Sequence, residues 1–232
     1  MALADYRAGP LQRQISEVSR SAKEMKLLAL LRENPRGKTI VFANFRATLA
    51  RLESLLTENS LDHAVLTRAQ SAQEKDLDIA RFKADLPVLL CSDSGGEGHN
   101  MQFANTLINF DLPWNPMRIE QRIGRVHRIG QTREVFVFNL CTAGSIEQRI
   151  LGVLNDKIRM FEMVVGEVGS ILGNLENGDE FESLVLNLWL KSRDNAELDG
   201  AFVRLGDSLL GAHEEYLKAK ELDDALFGED YQ

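Results

Sequence analysis

The chain has 232 residues, 44% hydrophobic and 27% charged, with a formal net charge of −8. That length can bury a sizeable core and suits one domain with appendages, and the composition excludes a disordered or fibrous chain. No apolar run approaches the roughly 18 residues of a membrane span and no signal-peptide pattern is seen, so an intracellular protein is expected, cytoplasmic in a bacterial setting or nuclear, with no membrane partner.

In chain order, residues 1–11 hold Gly9 and Pro10 without periodicity and read as a lead-in. Residues 21–32 have helical apolar spacing and open on a possible capping box, Ser21 with Glu24. Asn34-Pro35-Arg36-Gly37 stops that helix. Short apolar runs then alternate with amphipathic stretches. Strands are expected at 39–43, 63–67, 87–92, 106–110 and 134–140, and helices at 47–58 and 72–83. The alternation predicts an α/β fold whose mainly parallel sheet is covered on both faces. In such a sheet the loops at 44–46, 92–102 and 111–115 share the edge where ligands bind. From Ser145 the pattern is helical: a long helix to about Val165, a Gly-interrupted link, then acidic helical segments. Leu184, Leu188 and Trp189 mark an apolar face within 183–191.

The charge is unevenly spread. Residues 1–150 carry 20 Lys and Arg against 17 Asp and Glu, and residues 151–232 carry 7 against 18. A polyanion would be held by the first part and repelled by the acidic tail. Cys91 and Cys141 end apolar runs and read as buried free thiols. Together with His63, His99, His127 and His213 they show no metal-ligand spacing.

The most informative stretch runs from Asn115 to Gln131. Asn115 reads as an N-cap and Pro116 as the first helical residue. On a helical wheel Gln121, Arg125, Arg128, Arg118 and Arg122 fall on one arc, beside an apolar arc of Ile119, Ile123 and Val126. Four guanidiniums without a lysine or carboxylate repel one another unless an anion sits opposite, and arginine's planar fork suits phosphate oxygens. A solvated amphipathic helix is the alternative. The loop from Ser92 to Asn100 holds Gly95, Gly96 and Gly98 with Asp93 and Glu97. Its glycines can bring backbone amides close to a phosphate or another chain, or it is an ordinary glycine-rich turn. Gly37-Lys38-Thr39 fails as a phosphate loop: Arg32 stands where its first glycine belongs, and the tripeptide precedes a strand. No Asp-Glu pair follows an apolar strand either. The arginines suit a transferring phosphoryl group, but the parts that hold a nucleotide and its metal are missing.

Residues 121–131, Gln-Arg-Ile-Gly-Arg-Val-His-Arg-Ile-Gly-Gln, resemble the sixth motif of superfamily-two helicases in its Swi/Snf-type form. The 92–102 loop resembles the fifth motif, residues 39–45 the fourth, and Asp111-Leu112-Pro113-Trp114-Asn115-Pro116 the segment joining the last two. The resemblance covers about residues 21–165. It implies the second RecA-like lobe, a three-layer sandwich, of a DNA-dependent ATPase that translocates on duplex DNA. The implied domains are 1–35 (lead-in and N-terminal helix), 36–143 (lobe), 144–173 (bracing helix) and 174–232 (acidic helical appendage).

By the same resemblance Arg125 and Arg128 are arginine fingers to ATP with Mg2+ held mainly on a first lobe, so this chain alone is expected to be inactive. Gln121, Arg122, Gly95, Glu97, Gly98 and Asn100 would lie on the nucleotide side. Asn44, Phe45, Arg46, Ser92, Gly95 and Gly96 would face the DNA backbone. Expected partners are double-stranded DNA, the first lobe of the same protein and a DNA-bound protein target. Two other functions compete: a non-enzymatic nucleic-acid or protein binding module, and a strand-separating helicase lobe. The sequence departs from the family at Leu66-Thr67-Arg68, where Leu-Asp-Gly is usual, and at His99, where an aliphatic residue is usual.

Overall fold

A computed structural model describes residues 20–34, 37–127, 134–157 and 181–227. Helix α1 (Ala22–Glu33) opens with the expected capping box: the Glu24 amide donates to Ser21 Oγ, and the Ser21 amide to Glu24 Oε2 at 2.6 Å. Next come β1 (Thr39–Phe42), α2 (Arg46–Glu58), β2 (His63–Leu66), α3 (Ala72–Ala84), β3 (Val88–Cys91), the one-turn α4 (Asp93–Gly96) and β4 (Thr106–Asn109). Helix α5 (Pro116–Val126) and β5 (Phe136–Asn139) complete the sheet region.

All five strands are parallel, in the order β2-β3-β1-β4-β5. The central three are buried along their whole length, as their unbroken apolar runs require. From β1 the chain steps one way to β2 and then back through β3, β4 and β5. Right-handed crossovers therefore place helices on both faces. One face packs α1 and α2 against the sheet through Leu27, Leu31, Leu52, Leu56, Val41 and Ile108. The other packs Phe82 of α3, Met101 and Val126 of α5 against Ile40, Leu89 and Leu107. Phe42 pairs in register with both Cys91 and Asn109, so the loops after β1, β3 and β4 leave from one edge, as the alternation predicts.

Beyond the sheet, α6 (Ile146–Gly152) passes into a π-helical turn (Val153–Lys157), and α7 (Phe181–Lys191) and α8 (Asn195–Phe227) follow. A third apolar cluster joins Leu112 and Ile119 to Ile150, Phe181, Val185 and Phe202. Two expectations change here. Continuous α-helix ends at Gly152, the π-helical turn carries the chain to Lys157, and residues 158–165 of the expected helix, with the Gly-interrupted link, lie outside the described residues. The buried face of α7 is Phe181 and Val185, with Leu184 and Leu188 half-buried. Trp189 stays 49% exposed at its margin, meeting Trp114 edge-on at 6.5 Å.

Candidate nucleic-acid groove and arginine rim

Helix α5 starts as expected: the Asn115 side chain accepts from the Met117 amide at 2.9 Å, with Pro116 in the first turn. Its arginines do not share one face. Ile119, Arg122 and Val126 follow a spacing of three then four, which is one helical stripe, and all three are buried against the protein. Arg118, Gln121 and Arg125 follow the same spacing on an outer stripe. The expected arc of four open guanidiniums is thus corrected, because Arg122 belongs to the inner stripe.

Arg122 is 2% exposed. Its Nε donates to Asp93 Oδ1 at 2.6 Å, and its Nη1 to Asn109 Oδ1 at 2.7 Å and to the Asp111 carbonyl at 2.9 Å. Its Nη2 donates to Asn44 Oδ1, and the guanidinium lies 4.9 Å from the centre of the Phe42 ring. Buried charge is tolerated only when paired and hydrogen-bonded in this way. Asp93, which the sequence shows only as a member of the glycine-rich loop, is its counter-ion. Asn109, Asp111 and the carboxylate of Asp93 are the functional neighbours that sequence reasoning missed. A signal was present, since Asn109 is a polar residue ending an apolar strand and must find a partner when buried.

On the outer stripe, Arg118 reaches Glu182 of α7 at 3.8 Å and Gln121 is exposed. Arg125 is half-buried near the end of the helix, and among the described residues its guanidinium has no hydrogen-bond or ion-pair partner. Its carbonyl accepts from the Met101 amide at 3.1 Å, which fastens the loop carrying Glu97, Gly98 and Asn100 to this end of α5. Glu97 is exposed, Gly98 has φ +83° with open space around it, and Asn100 turns its side chain onto Gln102. Arg128 lies outside the described residues.

A separate groove of about 510 Å³ opens at the strand ends, lined by Asn44, Arg46, Thr67, Arg68, Ser92 and Ser94 among others. Arg68 and Thr67, the departure from the family pattern, are therefore walls of this groove. Phe45 is 66% exposed and lies on the other side of Asn44, lining a second cavity of about 610 Å³ with Trp114, Arg118 and Leu186.

Gly95 and Gly96 line neither cavity; both are buried. Their amides donate to the Ser92 carbonyl, and Gly95 also to Ser92 Oγ, so neither is a free donor to a phosphate. A Cβ at Gly95 would stand 2.3 Å from the Leu66 carbonyl oxygen, and one at Gly96 2.6 Å from Cys91 Sγ. These two glycines let α4 pack under the ends of β2 and β3. Burial pushes the Cys91 thiol up to about 12, and the neighbouring Asp93 carboxylate adds to the rise, so Cys91 is an unreactive core thiol. Cys141 is half-buried, also free.

A parallel α/β sandwich with its polar residues at aligned strand ends, and beside them a helix presenting an arginine that has no partner among the described residues, is a RecA-like helicase lobe. Residues 22–130 match the helicase conserved C-terminal domain, and the chain belongs to the superfamily-two helicases related to Swi/Snf-type ATPases. It is 39% identical over 163 residues to a Bacillus subtilis protein described as an uncharacterized ATP-dependent helicase, YqhH, covering 70% of this chain and 29% of that one. It is 36% identical to the RNA polymerase-associated protein RapA of Proteus mirabilis, covering 68% of this chain and 16% of RapA. The chain thus spans less than a third of the length of either relative. The crystal structure of the C-terminal part of the Fun30 ATPase domain superposes with a TM-score of 0.53 at 33% identity, covering 56% of this chain and 44% of that one. No helix among the described residues is long and apolar enough to cross a membrane.

Proposed function

We propose that this chain is the C-terminal motor lobe of an ATP-dependent duplex-DNA translocase, supplying arginine fingers to ATP bound on a first lobe that these residues do not contain. The observation that carries the reading is Arg125: a guanidinium without a partner among the described residues, on a rigid helix, its backbone fastened to the glycine loop. A positively charged group in that position, without a partner among the described residues, is suited to the negative charge that spreads over a transferring phosphoryl group. Arg128 is the second finger in this reading. Gln121 beside Arg125, and Glu97, Gly98 and Asn100 on the fastened loop, border the nucleotide from this side.

The groove supplies the second half of the reading. Arg46 and Arg68 with the hydroxyls of Thr67, Ser92 and Ser94 match a phosphodiester backbone, which is positioned by such groups without regard to sequence. Gly95 and Gly96 act there only by shaping the loop. Among the described residues no three His, Cys, Asp or Glu side chains converge, so none is assigned to the Mg2+ that accompanies ATP. ATP binding closes the two lobes on each other and product release reopens them, stepping the duplex through the groove. A DNA-bound protein is the target displaced or remodelled, in keeping with the polymerase association that RapA's name states.

The test uses the full-length protein with both lobes. Arg125→Ala cuts DNA-stimulated ATP turnover by about three orders of magnitude, as loss of an arginine finger does, while nucleotide affinity is largely kept. A loss of only a few fold removes Arg125 from that role. Salt-dependent duplex binding that ignores both ATP and the first lobe would instead mark a binding module.

A further inference from the structure

We infer that Arg122 is a positioning residue that couples the nucleic-acid groove to the arginine rim, and is not a ligand of the nucleotide; the inference rests on the motor reading above. Four of its five N–H donors are held by inward partners. Nε is held by Asp93, Nη1 by Asn109 and the Asp111 carbonyl, and Nη2 by Asn44. With four of five N–H donors so engaged and the side chain 2% exposed, the guanidinium is enclosed by the protein and not presented on the outer stripe where a triphosphate would be met.

Two of those partners are part of the groove wall or adjoin it. Asn44 lines the groove itself, and Asp93 sits between Ser92 and Ser94, which both line it. The Asn44 amide is also held by Asp111 Oδ2 at 3.2 Å, and Asn109 passes a hydrogen bond on to Asn139 of β5 at 2.7 Å. A ligand that shifts Asn44 or the start of α4 must therefore pull on a single planar guanidinium clamped at four points. That guanidinium is one helical turn from Arg125 on a helix with no break between them. The movement is delivered to the rim as rotation or translation of α5, because packed elements move as units. A lysine could hold one of these partners but not all four, since it lacks the fork.

The experiment measures three quantities on the full-length protein: ATP turnover with and without blunt-ended duplex DNA, duplex affinity, and affinity for a fluorescent ATP analogue. Arg122→Lys lowers the ratio of DNA-stimulated to unstimulated turnover by about tenfold, while both affinities stay within about threefold of the parent. Asp93→Asn keeps the arginine and the size of its partner, and lowers the ratio in the same direction by a smaller factor; it carries the test should the lysine variant fold poorly. The coupling role is overturned if both variants keep the parental ratio, or if stimulated and unstimulated turnover fall together in step with the melting temperature. The motor reading fails separately, and visibly so, if the parent protein itself shows no stimulation by duplex DNA.

Discussion

The sheet region and the helical flank are both well packed, yet they place their polar groups differently. The sheet region buries a hydrogen-bonded guanidinium at its strand ends, whereas the flank keeps its ion pairs, such as Arg149 with Asp199 at 2.6 Å, toward the surface. In the sheet region the parallel register brings Phe42, Cys91 and Asn109 level, so the residues that follow them meet at one edge. Backbone hydrogen bonding decides that arrangement, and side chains from distant parts of the sequence converge with little freedom. In the flank, α6, α7 and α8 meet through Ile150, Phe181, Val185 and Phe202, and most of their charged residues are acidic. Helix α5 belongs to both. Its Ile119 is in the flank cluster and its Val126 is in a sheet cluster. The contrast shows how an arginine helix is aimed: strands locate its partners, and the flank holds its other end so that the outer stripe cannot roll.

That view can be broken first at Phe202. Phe202→Ala removes a buried ring from the flank and lowers stability by about 3–5 kcal/mol. If the flank and sheet region form one cooperative unit, far-UV circular dichroism and the fluorescence of Trp114 and Trp189 shift together to lower urea. Separate transitions would mean that the flank melts without the sheet. Next in size is Gly95→Ala, which forces a methyl group against the Leu66 carbonyl and costs about 1–3 kcal/mol in the urea midpoint. An unchanged midpoint would show that α4 can move aside and that its glycine is there for a ligand.

The smallest effect concerns Glu24. Burial raises its pKa, but the hydrogen bond from Arg51, the Ser21 amide and the Arg51 charge outweigh this and hold it below the usual 4.5. A lowered carboxyl pKa stabilises the fold above the ordinary value and ceases to do so as pH falls through the lowered one. Glu24→Gln therefore lowers the melting temperature at neutral pH, by an amount equivalent to about 1 kcal/mol because Arg51 is half exposed. The gap between variant and parent closes as pH drops below 4.5. A gap that stays constant would assign the effect to the cap geometry alone.

The strands were legible because each is an unbroken apolar run bounded by turn residues, and the helix starts because Ser21 and Asn115 cap them as their types suggest. The common edge followed from the alternation of strands and helices. Arg122 was misplaced because a wheel drawn by polarity puts every arginine outside. Its burial depends on Asn44, Asp93 and Asn109, which no local window contains. The glycines of the 92–100 loop were visible, but the contact of Gly95 with Leu66 spans two strands. In the flank, the acidic composition masked the spacing of Leu198, Phe202 and Leu209, which are four and then seven residues apart along one side of α8. The π-helical turn at Val153–Lys157 left no pattern that a search for period 3.6 would recover.

The separations of the Arg122 contacts along the chain have a kinetic consequence. Its hydrogen-bond partners at Asn109, Asp93 and Asn44 lie 13, 29 and 78 residues upstream. Such distant closures are slow to form, since the entropy of ordering the intervening chain is lost before the contact rewards it. The guanidinium can settle only after β1, β3 and β4 have paired, which makes its enclosure a late event during refolding and an early one to be undone when the chain begins to open.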